Sequence, residues 1–234
     1  MIRVLSALLL LTVPAARAED MRAALGPVVV ELYTSQGCSA CPAADRLLHE
    51  LAEHEDVLAL SLHVDYWDYI GWEDDFADPA HTKRQKAYAA AAEQRMIYTP
   101  QMVVQGTELV VGTRPGAILQ AVGAHMGGPG TIVLRVSRED GSVEIEARSP
   151  GPIDPPAVVQ LVRYAPSRTA SITRGENAGH EFEYVNVVSA WETVATWDGA
   201  APLSVTAEAP GDDRVAVLVQ EPGPGAILAA ARGD

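Results

Sequence analysis

Cysteine is scarce in this chain: two residues in 234, placed together as Cys38-Ser39-Ala40-Cys41. That scarcity excludes a multi-bridge scaffold and leaves a redox pair, a small local staple or half a metal site. Basic residues are also few, 17 Lys and Arg against 31 Asp and Glu. A phosphate backbone would be repelled, so nucleic acid is not an expected partner, and the acidity reads as a well-solvated surface. Long apolar runs are missing as well. The run Val4 to Val13 covers about half of the roughly 20 residues that a spanning helix needs, and nothing later resembles a span. Also absent are a G-x-S-x-G elbow, a P-loop and a Rossmann glycine pattern in a suitable context.

The first 18 residues read as a secretory signal, with Arg3 as charged start, the apolar run, Pro14, and Ala16-Arg17-Ala18 as a small-x-small cleavage site. The expectation is a periplasmic or secreted protein without a membrane span after cleavage. Loss of Arg3 and Arg17 leaves 15 basic against 31 acidic residues, a formal charge of -16. An exported location is oxidising, so a Cys38–Cys41 disulfide can persist there.

Residues 27 to 126 alternate strand and helix signals. Val28 to Tyr33 reads as a strand, Ala43 to His54 as a helix with Ala44, Leu47, Leu48 and Leu51 on one face, and Val57 to Val64 as a strand. A polar, alanine-rich helix follows from Ala80 to Met96. Two short strands, Gln101 to Gln105 and Glu108 to Gly112, then turn at Gly106, and a helix runs from Pro115 to Met126. Gly127-Gly128-Pro129-Gly130 interrupts this texture. The reading is a 19 to 127 α/β domain and a smaller β-rich, sandwich-like or open-barrel domain over 131 to 234. The second part starts with an Asp140-Gly141 hairpin and continues through strands at Ala157 to Tyr164, Glu181 to Val188, Leu203 to Glu208 and Arg214 to Gln220.

Chemistry concentrates on the cysteine pair. A four-residue loop closed by a disulfide removes only about 2 kcal/mol of denatured-state entropy, against roughly 3 for a 15-residue loop, so a staple explains it poorly. Thiol–disulfide exchange needs an attacking thiolate and a resolving thiol nearby. Cys38, ahead of a helix whose unpaired N–H groups favour a thiolate, suits the first role and Cys41 the second. Two thiolates also suit Cu(I), and His63 would suit Zn or Cu(II), but no second C-x-x-C or H-x-x-x-H supplies a closed set. A copper carrier and a noncatalytic binding module therefore stand as alternatives to an oxidoreductase.

The element order, Cys38/Cys41 after the first strand, and Thr99-Pro100 before the third resemble the thioredoxin superfamily over residues 27 to 126. That resemblance implies a thioredoxin-like fold, a cis Pro100 facing the pair, a partner-peptide groove shaped by Thr99 and Pro100, and no dissociable cofactor. A second resemblance covers nearly the whole mature chain, to a secreted thioredoxin-like family known as domain of unknown function 1223. Glu31 to Pro42, His63 to Asp68, Gly71-Trp72, Tyr98 to Gln101 and Arg174-Gly175-Glu176-Asn177 carry it. Ala40 and Ala43 replace an expected serine and proline, and Gly37 replaces the tryptophan that commonly precedes the first cysteine of thioredoxins. Glu31 lies seven positions before Cys38, where thioredoxins carry an acidic residue at six. It either relays a proton to Cys41 or ends on a solvated strand face. His63, Asp65 and Trp67, at the C-terminal end of the second strand, either serve proton transfer and a peptide groove or form a packed aromatic loop around a hydrogen-bonded histidine. The expected partners are the thiols and disulfides of other proteins.

Overall fold

The computed structural model describes residues 26 to 127 and 131 to 233, so the signal-like segment lies outside the described residues. Its elements are β1 (Val28–Thr34), α1 (Pro42–Ala52), β2 (Val57–His63), a 3₁₀ turn (Asp68–Ile70), α2 (Pro79–Ala91), β3 (Gln101–Val104), β4 (Glu108–Val111) and α3 (Pro115–His125). Seven strands follow: β5 (Val133–Glu139), β6 (Ser142–Arg148), β7 (Ala157–Ile172), β8 (His180–Trp197), β9 (Leu203–Glu208), β10 (Arg214–Gln220) and β11 (Ile227–Arg232). Each helix starts on a proline, where a missing N–H removes no intrahelical bond. Asp78 adds a side-chain cap to α2, accepting from the Ala80 N–H at 2.7 Å.

β1 and β2 are parallel and buried at every residue, the pattern of central strands covered on both faces. β3 runs antiparallel to β1 on its other side, and β4 hairpins back from β3. Four of the strands after residue 130, namely β7, β8, β10 and β11, share a sheet with β1 to β4. They join as one mixed eight-stranded sheet in the order β11-β10-β7-β8-β2-β1-β3-β4. The junction is narrow, a parallel bridge of Ser61 with Val187, backed by the Asn186 amide donating to the Ala59 carbonyl at 2.8 Å.

β7 and β8 are far longer than their apolar runs suggest, because Ser167 to Ile172 pairs with His180 to Val185 toward the hairpin tip and Ala190 to Trp197 pairs with Ala157 to Arg163 at the other end. β5, β6 and β9 form a second, three-stranded sheet. The Asp140-Gly141 turn behaves as its sequence predicts, with φ of 49° and 79°, the left-handed pair that a tight hairpin needs.

Alternation along the strands sorts the core. Val29, Tyr33, Leu58, Leu60 and Leu62 face α2 together with Val162 and Leu218. Val30, Leu32 and Ala59 face the other way, onto Ala44, Leu48 and Leu51 of α1 and Ile118 of α3. Over the C-terminal half of the large sheet, that second face is covered by the small sheet, where Val143 and Ile145 pack on Val159, Leu161 and Val217. The result is a strand-dominated α/β protein. The cysteine helix lies on one face of the large sheet and α2 on the other.

Candidate functional site

β1 ends at Thr34, and four residues later the chain enters the turn that starts α1. Cys38 and Cys41 are joined as a disulfide across this turn, with Cα atoms 5.4 Å apart. The Cys41 N–H donates to the Cys38 carbonyl, and the N–H groups of Ala44 and Asp45 donate to the Cys41 carbonyl at 2.8 and 3.0 Å. Cys41 is therefore the helix N-cap, and Cys38 lies just ahead of the unpaired N–H groups and the positive dipole end. Both cysteines are buried, at 2% and 0% exposure, while Ser39 and Ala40 between them are exposed.

Two loops make the cover. The 66 to 72 loop brings Trp67 and Ile70 so close to Gly37 that an added Cβ there would lie 3.3 Å from the Ile70 side chain and 3.5 Å from the Trp67 Cβ. A tryptophan at position 37 has no room. The second cover comes from the tip of the β7–β8 hairpin, where the Asn177 amide donates to the carbonyls of Gln36 at 2.8 Å and Cys38 at 3.1 Å. Trp72 links the two loops: its indole N–H donates to the Gln36 side chain at 2.7 Å, and its Cβ packs on Gly175. The Arg174 to Asn177 turn, which reads locally as a polar turn and stands out only through the family resemblance, is thus a latch on the cysteine turn.

Thr99 and Pro100 meet this region from β3. The Thr99–Pro100 peptide is cis, and Pro100 is buried. A Cβ on Gly112 would sit 2.8 Å from the Pro100 Cβ and 3.1 Å from the Ala44 Cβ, which places Pro100 against the first turn of α1 with only glycine fitting between strand and helix. The Trp67 indole donates to the Thr99 hydroxyl at 2.6 Å, so these two predicted groove residues do come together.

Asp65 does not join them. It accepts from the Thr82 hydroxyl of α2 at 2.5 Å and so holds the helix start.

Glu31 corrects the expectation of a solvated strand face, for it is fully buried. Its oxygens accept four hydrogen bonds, from Arg84 Nε and Nη2 at 2.7 and 2.8 Å, Tyr88 at 2.7 Å and Tyr33 at 2.9 Å. A carboxylate has about four lone-pair positions, so none is left for a cysteine proton. Its side chain also leaves β1 on the α2 face, opposite the Val30 and Leu32 face that packs on α1. Burial opposes the Arg84 charge, yet the adjacent Glu31 carboxylate holds its pKa above the ordinary value. Tyr33 and Tyr88 are pushed up by burial and then by the Glu31 charge. Gln220 of β10 completes the network, donating to Tyr88 at 2.8 Å and accepting from Arg84 at 3.0 Å.

His63 is fully buried at the end of β2. Its Nδ1 lies 2.8 Å from Asp74, which also accepts the Gln36 backbone N–H at 2.8 Å. The rings of Phe76 and Tyr184 pack edge-on against it, and its Nε2 is buried with no hydrogen-bond partner among the described residues. Asp45, one turn past Cys41 and half-buried, accepts from the Thr34 hydroxyl at 2.8 Å. Burial pushes its carboxyl up to about 7, with His63 and the Thr34 hydrogen bond pulling the other way. Sequence reasoning missed Asp45 and Asp74. The four-residue step from Cys41 to Asp45 was a usable signal, since it places both on one helix face; nothing local marked Asp74. Among the described residues, no three His, Cys, Asp or Glu side chains converge as a metal site.

Comparison with known proteins agrees with this arrangement over most of the chain. A solved structure of protein AGR_C_4864 from Agrobacterium tumefaciens is 32% identical, with a TM-score of 0.75 over 88% of this chain and 92% of that one. HBP35 of Porphyromonas gingivalis shares the fold at 13% identity and a TM-score of 0.55, over 88% of this chain and 74% of its own. No curated protein matches. A family model described as "Protein of unknown function (DUF1223)" matches residues 29–220, and the chain belongs to that family.

Proposed function

We propose that this protein is an exported, thioredoxin-like thiol–disulfide oxidoreductase that exchanges disulfides with partner proteins through Cys38 and Cys41. The observation that carries the reading is the Cys38–Cys41 disulfide at the N-terminal end of α1, with Pro100 against the first turn of that helix. In the reduced protein the Cys38 thiolate attacks a partner disulfide, forming a Cys38–partner disulfide and releasing one partner thiol. Cys41 then attacks Cys38 Sγ, the Cys38–partner bond breaks, and the second partner sulfur leaves as thiolate. The partner gains two electrons and the cysteine pair is oxidised. Thr99 and Pro100 align the partner backbone beside the turn. Burial of both sulfurs means that the Trp67 and Asn177 loops must move aside first. The signal-like residues 1 to 18 support export.

The test uses a mature chain with C38S or C41S and a disulfide-containing model protein. C38S should lose exchange, and C41S should accumulate mixed disulfides that resolve on a nonreducing gel. Wild-type behaviour in both variants would end the oxidoreductase reading. Burial of the pair favours a second reading, a noncatalytic binding module with a structural disulfide. That module would keep its partner after both cysteines are replaced by serine.

A further inference from the structure

Resolution by Cys41 requires its thiol to lose a proton in a place shut off from water. Cys41 has no exposed surface, and Glu31 is saturated on the opposite face of β1. One acidic side chain is arranged differently. Asp45 follows Cys41 by four residues in a helix that begins at Cys41 with helical φ and ψ, so the two side chains project from the same face about one turn apart.

The Asp45 surroundings are built rather than incidental. Thr34, fully buried at the end of β1, donates to one carboxyl oxygen at 2.8 Å. Among the described residues Thr34 is the hydrogen-bond partner of this carboxyl, and Asp45 lines a groove of about 320 Å³ between α1 and β8. His63 neighbours it, tied to Asp74 through Nδ1 and carrying a buried Nε2 without a partner among the described residues. That imidazole nitrogen is a buried polar atom left unsatisfied in the cluster that neighbours Asp45. Asp74 in turn holds the Gln36 backbone N–H, so this cluster is tethered to the loop that carries Cys38.

We propose, resting on the oxidoreductase reading, that Asp45 takes up and returns the Cys41 proton during exchange, with Thr34 and the His63–Asp74 pair positioning it. In the resolving step, the proton passes from Cys41 Sγ to the Asp45 carboxylate. The Cys41 thiolate forms the bond to Cys38 Sγ as the Cys38–partner bond breaks, and the departing partner thiolate accepts a proton from Asp45 or solvent. In the reverse direction Asp45 delivers the proton to Cys41 as the intramolecular disulfide opens. A carboxyl with a pKa near neutrality suits both directions at physiological pH.

Several titratable groups surround Asp45. Arg46, His49 and Glu50 come from its own helix, and Glu181, Glu183 and Tyr184 from β8. His63 and Asp74 act from beneath, His63 favouring the carboxylate and Asp74 opposing it.

The experiment uses the reduced mature chain and the aromatic disulfide DTNB. Cys38 attack releases one thionitrobenzoate and Cys41 attack on the resulting mixed disulfide releases a second, so the two steps are read as two absorbance phases. The wild-type second phase should rise with pH through about 7. D45N should slow that phase about 100-fold at pH 7, shift its profile toward ordinary thiol ionisation near pH 8.5, and leave the first phase unchanged. D45E should recover most of the rate. Should D45N fail to fold, T34V removes the donor that favours the carboxylate, and the midpoint of the second phase should move up. An identical second-phase profile in D45N and wild type, or an unmoved midpoint in T34V, overturns the proposal while leaving the oxidoreductase reading intact. Absence of both phases in wild type overturns the two together.

Discussion

The Asn177 side-chain amide lies 3.1 Å from the carbonyl oxygen of Cys38, a residue 139 positions earlier in the chain. The same amide reaches the Gln36 carbonyl at 2.8 Å, so one side chain fastens the β7–β8 hairpin over the disulfide turn. Each bond contributes a net of about 1 kcal/mol, and removal of both favours the open form by about 2 kcal/mol, a factor of roughly 30 in population. N177A should therefore speed reduction of the Cys38–Cys41 disulfide by dithiothreitol at least about ten-fold, followed by alkylation and mass measurement. An unchanged rate would show that the hairpin tip does not limit access.

Glu31 and Arg84 form a buried pair, and removal of one partner strands the other charge inside the protein. E31Q or R84M should each lower stability by about 3 kcal/mol, seen as a drop in the urea midpoint. E31M combined with R84M should cost less than either single change, because no unpaired charge remains. Neither single variant should alter the pH profile of cysteine resolution in molecules that stay folded. A shifted profile in E31Q would restore Glu31 as the proton relay.

Much of the N-terminal half is legible from sequence because its signals are local. Prolines mark helix starts, β1 and β2 are mainly apolar runs, and Asp140-Gly141 codes for its own turn. Continuity of the sheet is not local. It rests on a single bridge between Ser61 and Val187, and no pattern within either strand announces which distant edge it will meet. The stretches of β7 and β8 that carry no strand signal of their own, Ala165 to Ile172 and Ser189 to Trp197, are hidden for a related reason: their mixed polar residues take strand form by pairing across the hairpin. Cys38, Cys41, Thr99, Pro100 and Trp67 stood out by residue type and position. Asn177, Asp74 and Asp45 acquire their roles only when loops far apart in sequence close on one turn.

Gly112 tests how tightly β3, β4 and α1 are fitted. An alanine Cβ would lie 2.8 Å from Pro100 and 3.1 Å from Ala44, closer than either neighbour permits without moving. G112A should cost about 2 kcal/mol by overpacking, a fall of several degrees in Tm. Because the displaced residue is Pro100, exchange with a protein disulfide should fall more than reduction by dithiothreitol, which needs no aligned backbone. Equal losses in the two assays would argue against a substrate-aligning role for Pro100.

Asp45 also writes a pH dependence into stability. Its folded pKa, about 7, lies above the unfolded value near 3.8, so between those values the folded protein binds more protons than the unfolded chain. Stability contributed by this group is fully present below pH 4, falls as pH rises, and is lost by about pH 7. An asparagine keeps an oxygen to accept from Thr34 but never pays for desolvating a charge. D45N should accordingly be more stable than wild type at pH 8, and the gap should narrow steadily toward pH 4. Urea unfolding of the oxidised proteins across that range checks it. A constant difference at every pH would mean that the Asp45 carboxyl ionises as an ordinary exposed acid and that its enclosure by Thr34, His63 and β8 does not perturb it.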